Sequence, residues 1–508
     1  MKKVLLILVD QWRWDLISAL GANGVVTPNI DKLVENGVSF RNHFSVTIPC
    51  GPSRSSILTG MYAMNHRAIT NGTPLDSKFD NLALSCRRNS LEPILVGYTT
   101  TTPDPRTTSE LDPSFRLTGD TMAGFKPLVP YHAKQDSYLA ELKSKGISIP
   151  SNTDDLWKPE QNKEIPADRG FCFSPSRLSV DEYDNAFYTD KAIKHLSVRE
   201  NRDWLMLLTY MRPHPPYVAP DPYHKMFDPN SLDMPLDRAD LSKEATQHPF
   251  LEYLLKTEKI EDYAYGKEGL IAQLPDLDVK QIKATYFGML AELDAQIGRV
   301  INYLKKSDQI SETLIIFTSD HGEMLGDHRL FGKHAYFDAS YRVPLIVVDP
   351  SSINRGGQIF EFTESVDLMP TILDWLDFEI PRQCDGCSLM PFIRGEKPKN
   401  WRSGVMLEFD YRSLDKGSAM NFFNTHFDDC SVAIYRNLKG KYVHFNDLDP
   451  LLFSYDISHL EQVNLASDKR YLKLKEELMS DLITRRLSKA NTSLTHFQAG
   501  EKGLLRFI

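Results

Sequence analysis

Two stretches of the chain, VLLILVDQ at residues 4–11 and TLIIFTSDHGE at residues 313–323, determine the predicted fold. Each is an unbroken apolar run that ends in polar and acidic side chains. Unbroken apolar runs are typical of strands buried on both faces of a parallel sheet, and ligands bind at the carboxyl ends of such strands. Asp10 and Asp320 are therefore expected at one edge of a central sheet.

Two further apolar runs extend this pattern. LMLL at residues 205–208 is followed by RPHPPY, which contains His214, and PLIVV at residues 344–348 is followed by Asp349. Residues 281–305 carry apolar side chains at three- and four-residue steps, which predicts an amphipathic helix packed on a sheet. The chain before residue 395 thus predicts an α/β fold with a large, mostly parallel central sheet flanked by helices.

The pattern changes near residue 395. SVAIYRNLKGKYVHF at residues 431–445 predicts a hairpin that turns near Lys439 and Gly440, and residues 471–487 predict a helix. The residues after 487 have scattered apolar side chains and no core pattern. We divide the chain into three parts: a large domain that carries the site at 1–395, a smaller α+β subdomain with an antiparallel sheet at 396–487, and a C-terminal arm, expected between subunits, at 488–508.

Composition limits the classes of protein to which the chain can belong. Its 508 residues are 41% hydrophobic and 25% charged, which supports a large core and excludes a disordered protein. A net charge of −9 argues against a nucleic-acid or anionic-membrane binder. Six cysteines fit a reducing compartment, so we expect a cytoplasmic protein. The first apolar run is interrupted by Asp10 and is too short for a signal peptide or membrane helix.

IPCGPSRSSILTG, at residues 48–60, is the most specific motif in the chain. Pro52 suits the first turn of a helix, whose free amides and dipole attract an anion, and Arg54 adds further donors. Cys50, at this helix start, is placed for nucleophilic chemistry or for covalent modification. The alternative is a buried structural cysteine, which composition alone does not exclude.

The order Cys-x-Pro-x-Arg followed by Leu-Thr-Gly resembles the signature of the type I sulfatases, in the alkaline phosphatase superfamily. Other blocks resemble that family in order and spacing: VDQ at 9–11, TPNIDKL at 27–33, GVSF at 37–40, TSDHGEMLGDH at 318–328, GKHAYFDASYRVPLIV at 332–347, DLMPTILD at 367–374, DGCSLMPFIRG at 385–395 and YDISHLEQVNLA at 455–466. The resemblance covers nearly the whole chain and implies an alkaline phosphatase-like fold. It is weakest at 100–200 and after 490.

Several positions differ from the usual sulfatase pattern. They resemble the phosphonate monoester hydrolase branch of the family: Asp10-Gln11, Asp320-His321, Asn71, Tyr98 and Thr100. Members of that branch are promiscuous for phosphonate monoesters, phosphodiesters and sulfate esters. We therefore expect a hydrolase of small anionic phosphonate and phosphate esters with arylsulfatase activity.

The residue types at Asp10, Asp320 and His321 also predict a metal-binding site. Two carboxylates beside an imidazole suit a divalent cation, with Mn²⁺ or Ca²⁺ favoured over Mg²⁺ or Zn²⁺. The alternative is an ion-paired Asp pair with a capping histidine. The resemblance implies these metal ligands: Asp10, Cys50, Asp320 and His321. It also implies that a formylglycine-generating enzyme converts Cys50 to formylglycine, whose hydrate is the nucleophile.

The mechanism that the resemblance implies has two steps. One hydroxyl of the formylglycine hydrate attacks phosphorus or sulfur, and the second later expels the product and regenerates the aldehyde. His214 is the best candidate for a general acid or base; the alternative is a loop histidine in a proline-rich turn. The expected catalytic residues are Cys50, Arg54, His214 and Lys333, and the expected substrate-binding residues are Gln11, Asn71, Tyr98 and Thr100.

Other functions remain open from the sequence. They are a dedicated sulfatase acting on one sulfated metabolite or sugar, a phosphatase or phosphomutase relative with an ordinary nucleophile, and a binding protein with a decayed site. Cys384 and Cys387 form a lone C-x-x-C, which we interpret as structural thiols. His328 and His334 flank the metal motif, either in the pocket or behind it. Because the relatives form tetramers, we expect a dimer or tetramer.

Overall fold

A computed structural model of the protein describes residues 1–116, 120–130, 135–160, 164–235, 238, 240–334, 336–413, 417–491, 494–501 and 503–506. The described strands form sheets of eight, four and two strands. The largest sheet contains β1 (Lys3–Asp10), β2 (Val38–Phe44), β3 (Pro93–Gly97), β4 (Lys126–Pro130), β5 (Trp204–Pro213), β6 (Thr313–Ser319), β7 (Leu345–Val348) and β8 (Gly357–Glu364). Their order across the sheet is β4-β3-β5-β1-β6-β7-β2-β8.

β1 lies inside the large sheet and pairs in parallel with β5 on one side and β6 on the other. All of its residues are buried. Alternate side chains enter two apolar clusters, with Leu5 and Ile7 in one and Leu6 and Leu8 in the other. Since successive side chains of a strand point to opposite faces, the strand is covered on both sides, which explains its unbroken apolar sequence. The predicted α/β class and mostly parallel sheet are confirmed.

β7, which carries one of the four apolar runs, is an antiparallel strand of the mostly parallel sheet. It pairs antiparallel with both β6 and β2, so Asp349 lies at the opposite edge of the sheet from Asp10 and Asp320. There, Asp349 Oδ1 accepts hydrogen bonds from the Ser351 N–H and from Trp375 Nε1. A strand covered on both faces is apolar whichever way it runs, so the pattern could not give its direction.

Helices cover the large sheet. The longest, Asp276–Lys306, contains the predicted helix at 281–305 and packs against β5. The described α-helices are α1 (Pro28–Asn36), α2 (Cys50–Thr59), α3 (Ala63–His66), α4 (Leu82–Arg88), α5 (Asp136–Ser144), α6 (Asp184–Leu196), α7 (Leu241–Ala245), α8 (Pro249–Thr257), α9 (Asp276–Lys306), α10 (Asp338–Tyr341), α11 (Leu368–Trp375), α12 (Met390–Ile393), α13 (Ala419–Phe423) and α14 (Leu472–Ser488).

The four-stranded sheet confirms the predicted antiparallel hairpin and final helix. It contains β9 (Gly404–Asp410), β10 (Ser431–Asn437), β11 (Gly440–Phe445) and β12 (Leu451–Ser454), and α14 packs against β10 and β11. Its core joins that of the large sheet, because Phe44 and Phe362 share one apolar cluster with Val405 and Leu407. The domain boundaries at 395 and 487 therefore stay a prediction.

The end of the chain forms a short antiparallel hairpin, β13 (Phe497–Gly500) and β14 (Gly503–Arg506). Leu504 and Leu505 in this hairpin are 64% and 48% exposed. Residues 492–493, 502 and 507–508 of the predicted arm lie outside the described residues. Among the helices that are described, none is both long and apolar enough to cross a membrane.

Candidate active site

Cys50 is the first residue of α2, and its side chain is buried at the carboxyl-end edge of the large sheet. Gly51 follows it and donates its N–H to Asn71 Oδ1 at 2.8 Å. A Cβ at position 51 would lie 3.0 Å from that oxygen and 3.1 Å from the Thr100 carbonyl oxygen. A side chain at position 51 would be crowded by these two oxygens, so glycine fits best there. Asn71 and Thr100 thereby help to fix the start of the helix.

Asp10 and Asp320 meet beside Cys50, because they end or directly follow the neighbouring strands β1 and β6. Cys50 Sγ lies 3.2 Å from His321 Nε2 and 3.8 Å from Asp10 Oδ1. His321 Nε2 is 3.6 Å from Asp10 Oδ1 and 3.7 Å from Asp320 Oδ1. One potential ligand atom from each of these four buried residues lies within 4.8 Å of the others. The predicted metal ligands are thus brought together.

His321 has the geometry of a metal ligand. Its Nδ1 lies 3.1 Å from the Gly322 carbonyl oxygen, which assigns the ring proton to Nδ1 and leaves the Nε2 lone pair directed at Cys50. Burial and the charge of Lys333 lower the pKa of His321 far below its ordinary value, so the ring is neutral. A neutral imidazole with one free nitrogen is the form that binds metal ions.

The two carboxylates carry opposite pKa shifts. Burial and the negative charge of Asp10 raise the pKa of Asp320 to about 7. Burial also acts to raise the pKa of Asp10, but the surrounding His214, His321, Arg54 and Lys333 lower it well below its ordinary range. Two carboxylates that face each other in a buried site are stabilised by a cation between them. The donor set therefore fits a divalent metal.

Arg54 lies between the carboxylates and takes up part of their charge. Its Nε donates to Asp320 Oδ2 at 2.8 Å, and Nη2 lies 3.3 Å from Asp10 Oδ2. The guanidinium is fully buried and stacks on the Tyr98 ring at 4.1 Å. The Tyr98 hydroxyl in turn donates to Asp10 Oδ2 at 2.7 Å. Both residues hold the carboxylates in place, and their direct contact with substrate stays a prediction.

The environment of the Cys50 thiol disfavours its ionisation. Burial and the negative charge of Asp10 raise its pKa far above the ordinary value. The thiolate is the reactive form of cysteine, and here it is disfavoured. The unmodified Cys50 side chain thus lies at the centre of the site as a neutral thiol.

Lys333 forms a second charged group near the metal ligands. Its Nζ donates to Gln11 Oε1 at 3.0 Å and to His214 Nε2 at 2.9 Å. The negative charges around it outweigh burial and raise its pKa, so it stays protonated. Burial and Lys333 lower the pKa of His214 to about 4. At neutral pH this pair consists of an ammonium donor and a neutral imidazole acceptor.

His214 is held by a rigid loop at the end of β5. Its Nδ1 donates to the Pro215 carbonyl oxygen at 2.8 Å. Arg212 Nη1 donates to the His214 carbonyl oxygen at 3.0 Å and to that of Pro216 at 3.3 Å. The Arg212 guanidinium also stacks on Trp157 at 4.6 Å. Sequence reasoning missed Arg212, although it stands two residues before His214.

Glu323 is a second residue that sequence reasoning missed. It is fully buried and accepts hydrogen bonds from Gln11 Nε2 and from the N–H groups of Leu325 and Gly332, the last two at 2.7 Å. It thereby orients the amide that contacts Lys333. Its place in the TSDHGE block was the available signal, but the sequence does not distinguish a buried glutamate from an exposed one.

The other histidines and cysteines singled out from the sequence lie outside the cluster of metal ligands. His328 stacks on Phe337 at 3.7 Å and pairs with Glu244 through Nδ1 at 3.1 Å, while His334 is exposed beside Lys333. Cys384 Sγ donates to the Thr59 carbonyl oxygen at 3.7 Å, and both cysteines of the C-x-x-C pair are free thiols. Among the described residues, the metal-binding geometry occurs only at Asp10, Cys50, Asp320 and His321.

Comparison with protein families agrees with this geometry. The profile described as "Sulfatase" matches residues 2–378. The chain belongs to the sulfatase family. A second profile, described as "N-sulphoglucosamine sulphohydrolase, C-terminal", matches residues 326–486 of this sulfatase-family protein, which include the antiparallel sheet and most of α14.

Known proteins resemble this family member over its whole length. A multifunctional alkaline phosphatase superfamily protein, PehA, from Trinickia caryophylli is 42% identical over 99% of this chain and 98% of its own. The crystal structure of a phosphonate monoester hydrolase of Agrobacterium radiobacter is similar with a TM-score of 0.95 and 36% identity, covering both chains completely. A phosphonate monoester hydrolase from Silicibacter pomeroyi gives a TM-score of 0.94 at 36% identity, covering 100% of this chain and 99% of that one. The alkaline phosphatase-like architecture is therefore shown.

Proposed function

We propose that this protein hydrolyses phosphonate monoesters and phosphodiesters, with sulfate esters as additional substrates, and that formylglycine formed from Cys50 supplies the nucleophile. The observation that carries the proposal is the position of Cys50, 3.2 Å from His321 and 3.8 Å from Asp10, at the start of α2. The full-length similarity to two phosphonate monoester hydrolases supports this choice of substrates. Profiling hydrolysis of paired aryl phosphonate and aryl sulfate esters tests it.

We propose that one divalent ion, Mn²⁺ or Ca²⁺ in preference to Mg²⁺ or Zn²⁺, binds at the carboxylate pair. Its ligands would be Asp10, Asp320, His321 and the oxidised side chain of residue 50. When bound, it withdraws charge from the transferring group and lowers the pKa of the attacking hydroxyl. Arg54 and Tyr98 donate hydrogen bonds to these carboxylates and so keep them oriented.

The bond changes require a nucleophilic oxygen on residue 50 and a way to move protons. One hydroxyl of that residue releases its proton to solvent, and its oxygen bonds to phosphorus or sulfur as the bond to the alcohol oxygen breaks. Lys333 Nζ gives the departing oxygen a proton. The second hydroxyl then gives its proton to His214 Nε2, and the carbon–oxygen double bond that forms expels the product. Water adds to the aldehyde and restores the starting side chain.

The hydrogen bond between Lys333 and His214 closes this proton cycle. Lys333 Nζ and His214 Nε2 are 2.9 Å apart. The proton that His214 gains can therefore pass directly to Lys333, which has given its own proton to the alcohol. The pKa of Lys333 is raised and the pKa of His214 is lowered. Lys333 therefore holds a proton more strongly than His214 does, which favours this return. Both residues then have their starting protonation for the next substrate.

Replacing Lys333 with methionine tests the pair. We expect kcat/KM to fall by about 100-fold, the typical contribution of a positioned proton donor. Loss of the ammonium charge also removes one cause of the low pKa of His214. Burial, the larger cause, remains, as do the charges of Asp10 and Arg212. The acidic limb of the pH profile of kcat/KM should therefore move to higher pH, by about one unit.

Lys333→Arg is the matched control for the charge, because it keeps the cation beside His214. It should leave the acidic limb near its wild-type position even if the rate falls. An acidic limb that does not move in Lys333→Met would show that His214 is not the group that must be neutral.

A dedicated sulfatase is the second candidate function. An arylsulfatase from Clostridium perfringens is 26% identical over 80% of this chain and 81% of its own, and both family profiles carry sulfatase descriptions. A large preference for aryl sulfate over the matching aryl phosphonate would favour this function over the first.

We propose that the protein is a homo-oligomer, a dimer or tetramer, joined in part by the C-terminal arm. A two-stranded hairpin is marginal in water by itself, and Leu504 and Leu505 are exposed on it. Maturation of Cys50 further requires a formylglycine-generating enzyme in the same compartment. A cytoplasmic location stays a prediction; its support is that all six cysteines are free thiols.

Replacing both Leu504 and Leu505 with glutamate should weaken the oligomer, because like charges and lost apolar contact would oppose docking of the arm. We expect the mass from sedimentation velocity to fall to that of a smaller assembly. Leu438→Glu is the control, since Leu438 is 75% exposed in another part of the chain. An unchanged mass in the double variant would contradict the role of the arm.

A further inference from the structure

A cavity of about 380 Å³ lies beside the proposed active site. Three of its wall residues are direct chain neighbours of the site residues Cys50, Asn71 and Lys333: Pro49, Thr70 and His334. Consecutive Cα atoms are about 3.8 Å apart, so three segments of the chain each carry a site residue next to a residue of the cavity wall. The cavity therefore lies next to the segments that hold the reacting centre.

The far wall of this cavity is aromatic. Phe250 and Tyr253 come from α8, and Phe409 and Tyr411 come from the end of β9 and the residue after it. The Phe250 ring centroid lies 5.6 Å from that of Phe409 and 5.4 Å from that of Tyr411. All four side chains are largely buried. α8 and the end of β9 thus form a preformed apolar surface, and such surfaces bind apolar or aromatic groups.

Three charged groups in the wall already have partners within the protein. Arg412 Nε donates to Asp410 Oδ1 at 2.8 Å and Nη2 donates to Oδ2 at 2.9 Å. Glu258 Oε2 accepts from the Tyr263 hydroxyl at 2.6 Å. An anionic or cationic ligand group would have to compete with these contacts, whereas an uncharged ring would not. The wall therefore favours an uncharged occupant.

The position of the proposed proton donor indicates which part of the ester enters the cavity. A general acid must reach the leaving oxygen, and Lys333 directly precedes His334 of the cavity wall. An ester with its alcohol oxygen near Lys333 and its anionic centre at residue 50 would have its alcohol side next to the cavity.

We propose that this cavity binds the uncharged aromatic or bulky apolar group of the ester's alcohol, so that aryl and similarly large esters are preferred over esters of small alcohols. The inference rests on the function proposed above and adds a leaving-group site lined by α8 and β9. Burial of one aromatic ring is expected to raise kcat/KM by about tenfold to 100-fold over a small group.

The test uses the full-length protein with formylglycine at position 50 and two esters of methylphosphonic acid. One is the phenyl ester and the other is the hexafluoroisopropyl ester, whose alcohol is similarly acidic but not aromatic. Tyr253→Ala removes one wall of the cavity. Gly417→Trp narrows it, and a Cβ at position 417 meets open space. Each should lower the ratio of the two kcat/KM values, phenyl over hexafluoroisopropyl, by about tenfold.

Tyr253→Phe is the matched control, because it keeps the ring and removes only the hydroxyl that donates to the Gly417 carbonyl oxygen. It should keep the ratio within about twofold of wild type. Thermal unfolding of each variant shows whether it is folded, and Gly417→Trp removes no packing. An unchanged ratio in both Tyr253→Ala and Gly417→Trp, with both esters hydrolysed, would overturn the leaving-group site alone. Hydrolysis of neither ester by the wild-type protein would overturn the proposed function and this site with it.

Discussion

Replacing Cys50 with alanine is expected to lower kcat/KM for aryl phosphonate and aryl sulfate esters by about 10⁴-fold or more, the scale seen when a nucleophile is removed from an intact site. Alanine leaves Asp10, Asp320, His321 and Arg54 in place but has no oxygen to bond to the ester. The residual rate would report what positioning and electrostatics achieve without a nucleophile. Initial rates on both esters provide the measurement.

Two further variants sharpen this result. Cys50→Ser supplies a hydroxyl but no aldehyde, so it should remain far below wild type if formylglycine is required. Cys387→Ala changes an exposed free thiol and should leave the rate unchanged. The intact mass of the wild-type peptide around Cys50 should be lower by about 18 Da when it carries the aldehyde. A fully active protein with an unmodified thiol would contradict the proposal.

Replacing Asp320 with asparagine is expected to remove the tight metal site and with it nearly all activity. Losing an outer hydrogen-bond partner of a metal ligand typically costs 10- to 100-fold in affinity, and losing a charged ligand should cost about 100-fold or more. Dialysis of the wild-type protein against a chelator should also abolish activity, and Mn²⁺ or Ca²⁺ should restore it. Elemental analysis of the wild type should find about one ion per chain.

Asp349→Asn is the matched control for this experiment. Asp349 also follows a buried strand of the same sheet, but at the opposite edge, where it accepts hydrogen bonds from Ser351 and Trp375. The control should bind the metal and react as the wild type does. If Asp320→Asn retained one tightly bound ion and full activity, the metal site would have to lie elsewhere.

The sequence predicted β1, β6 and the meeting of Asp10 with Asp320, because burial on both faces leaves a local apolar run that stops where the site begins. It predicted the β10–β11 hairpin and α14 for similarly local reasons. It did not predict the direction of β7, since direction depends on how the chain returns to the sheet rather than on which faces are covered.

The supporting contacts of the site could not be predicted, because they join residues far apart in the chain. Arg54 was predicted as a catalytic residue, but its contacts with the carboxylates of Asp10 and Asp320 were not. Glu323 and Arg212 hold backbone groups and neighbouring side chains in place by hydrogen bonds. No pattern of residue types in the sequence predicts such contacts. The aromatic cavity is formed by α8 and β9, about 150 residues apart in the sequence.

The enclosure of Cys50 by α2, β1 and β6 restricts when its thiol is accessible to another enzyme. In the folded chain the side chain is only 7% exposed and has protein on nearly every side. If Cys50 is oxidised as proposed, this burial favours oxidation during or soon after synthesis, before the central strands assemble. Under the same proposal, a cell that lacks the maturation enzyme would accumulate folded but inactive molecules, and later addition of the enzyme would restore activity only after they are unfolded.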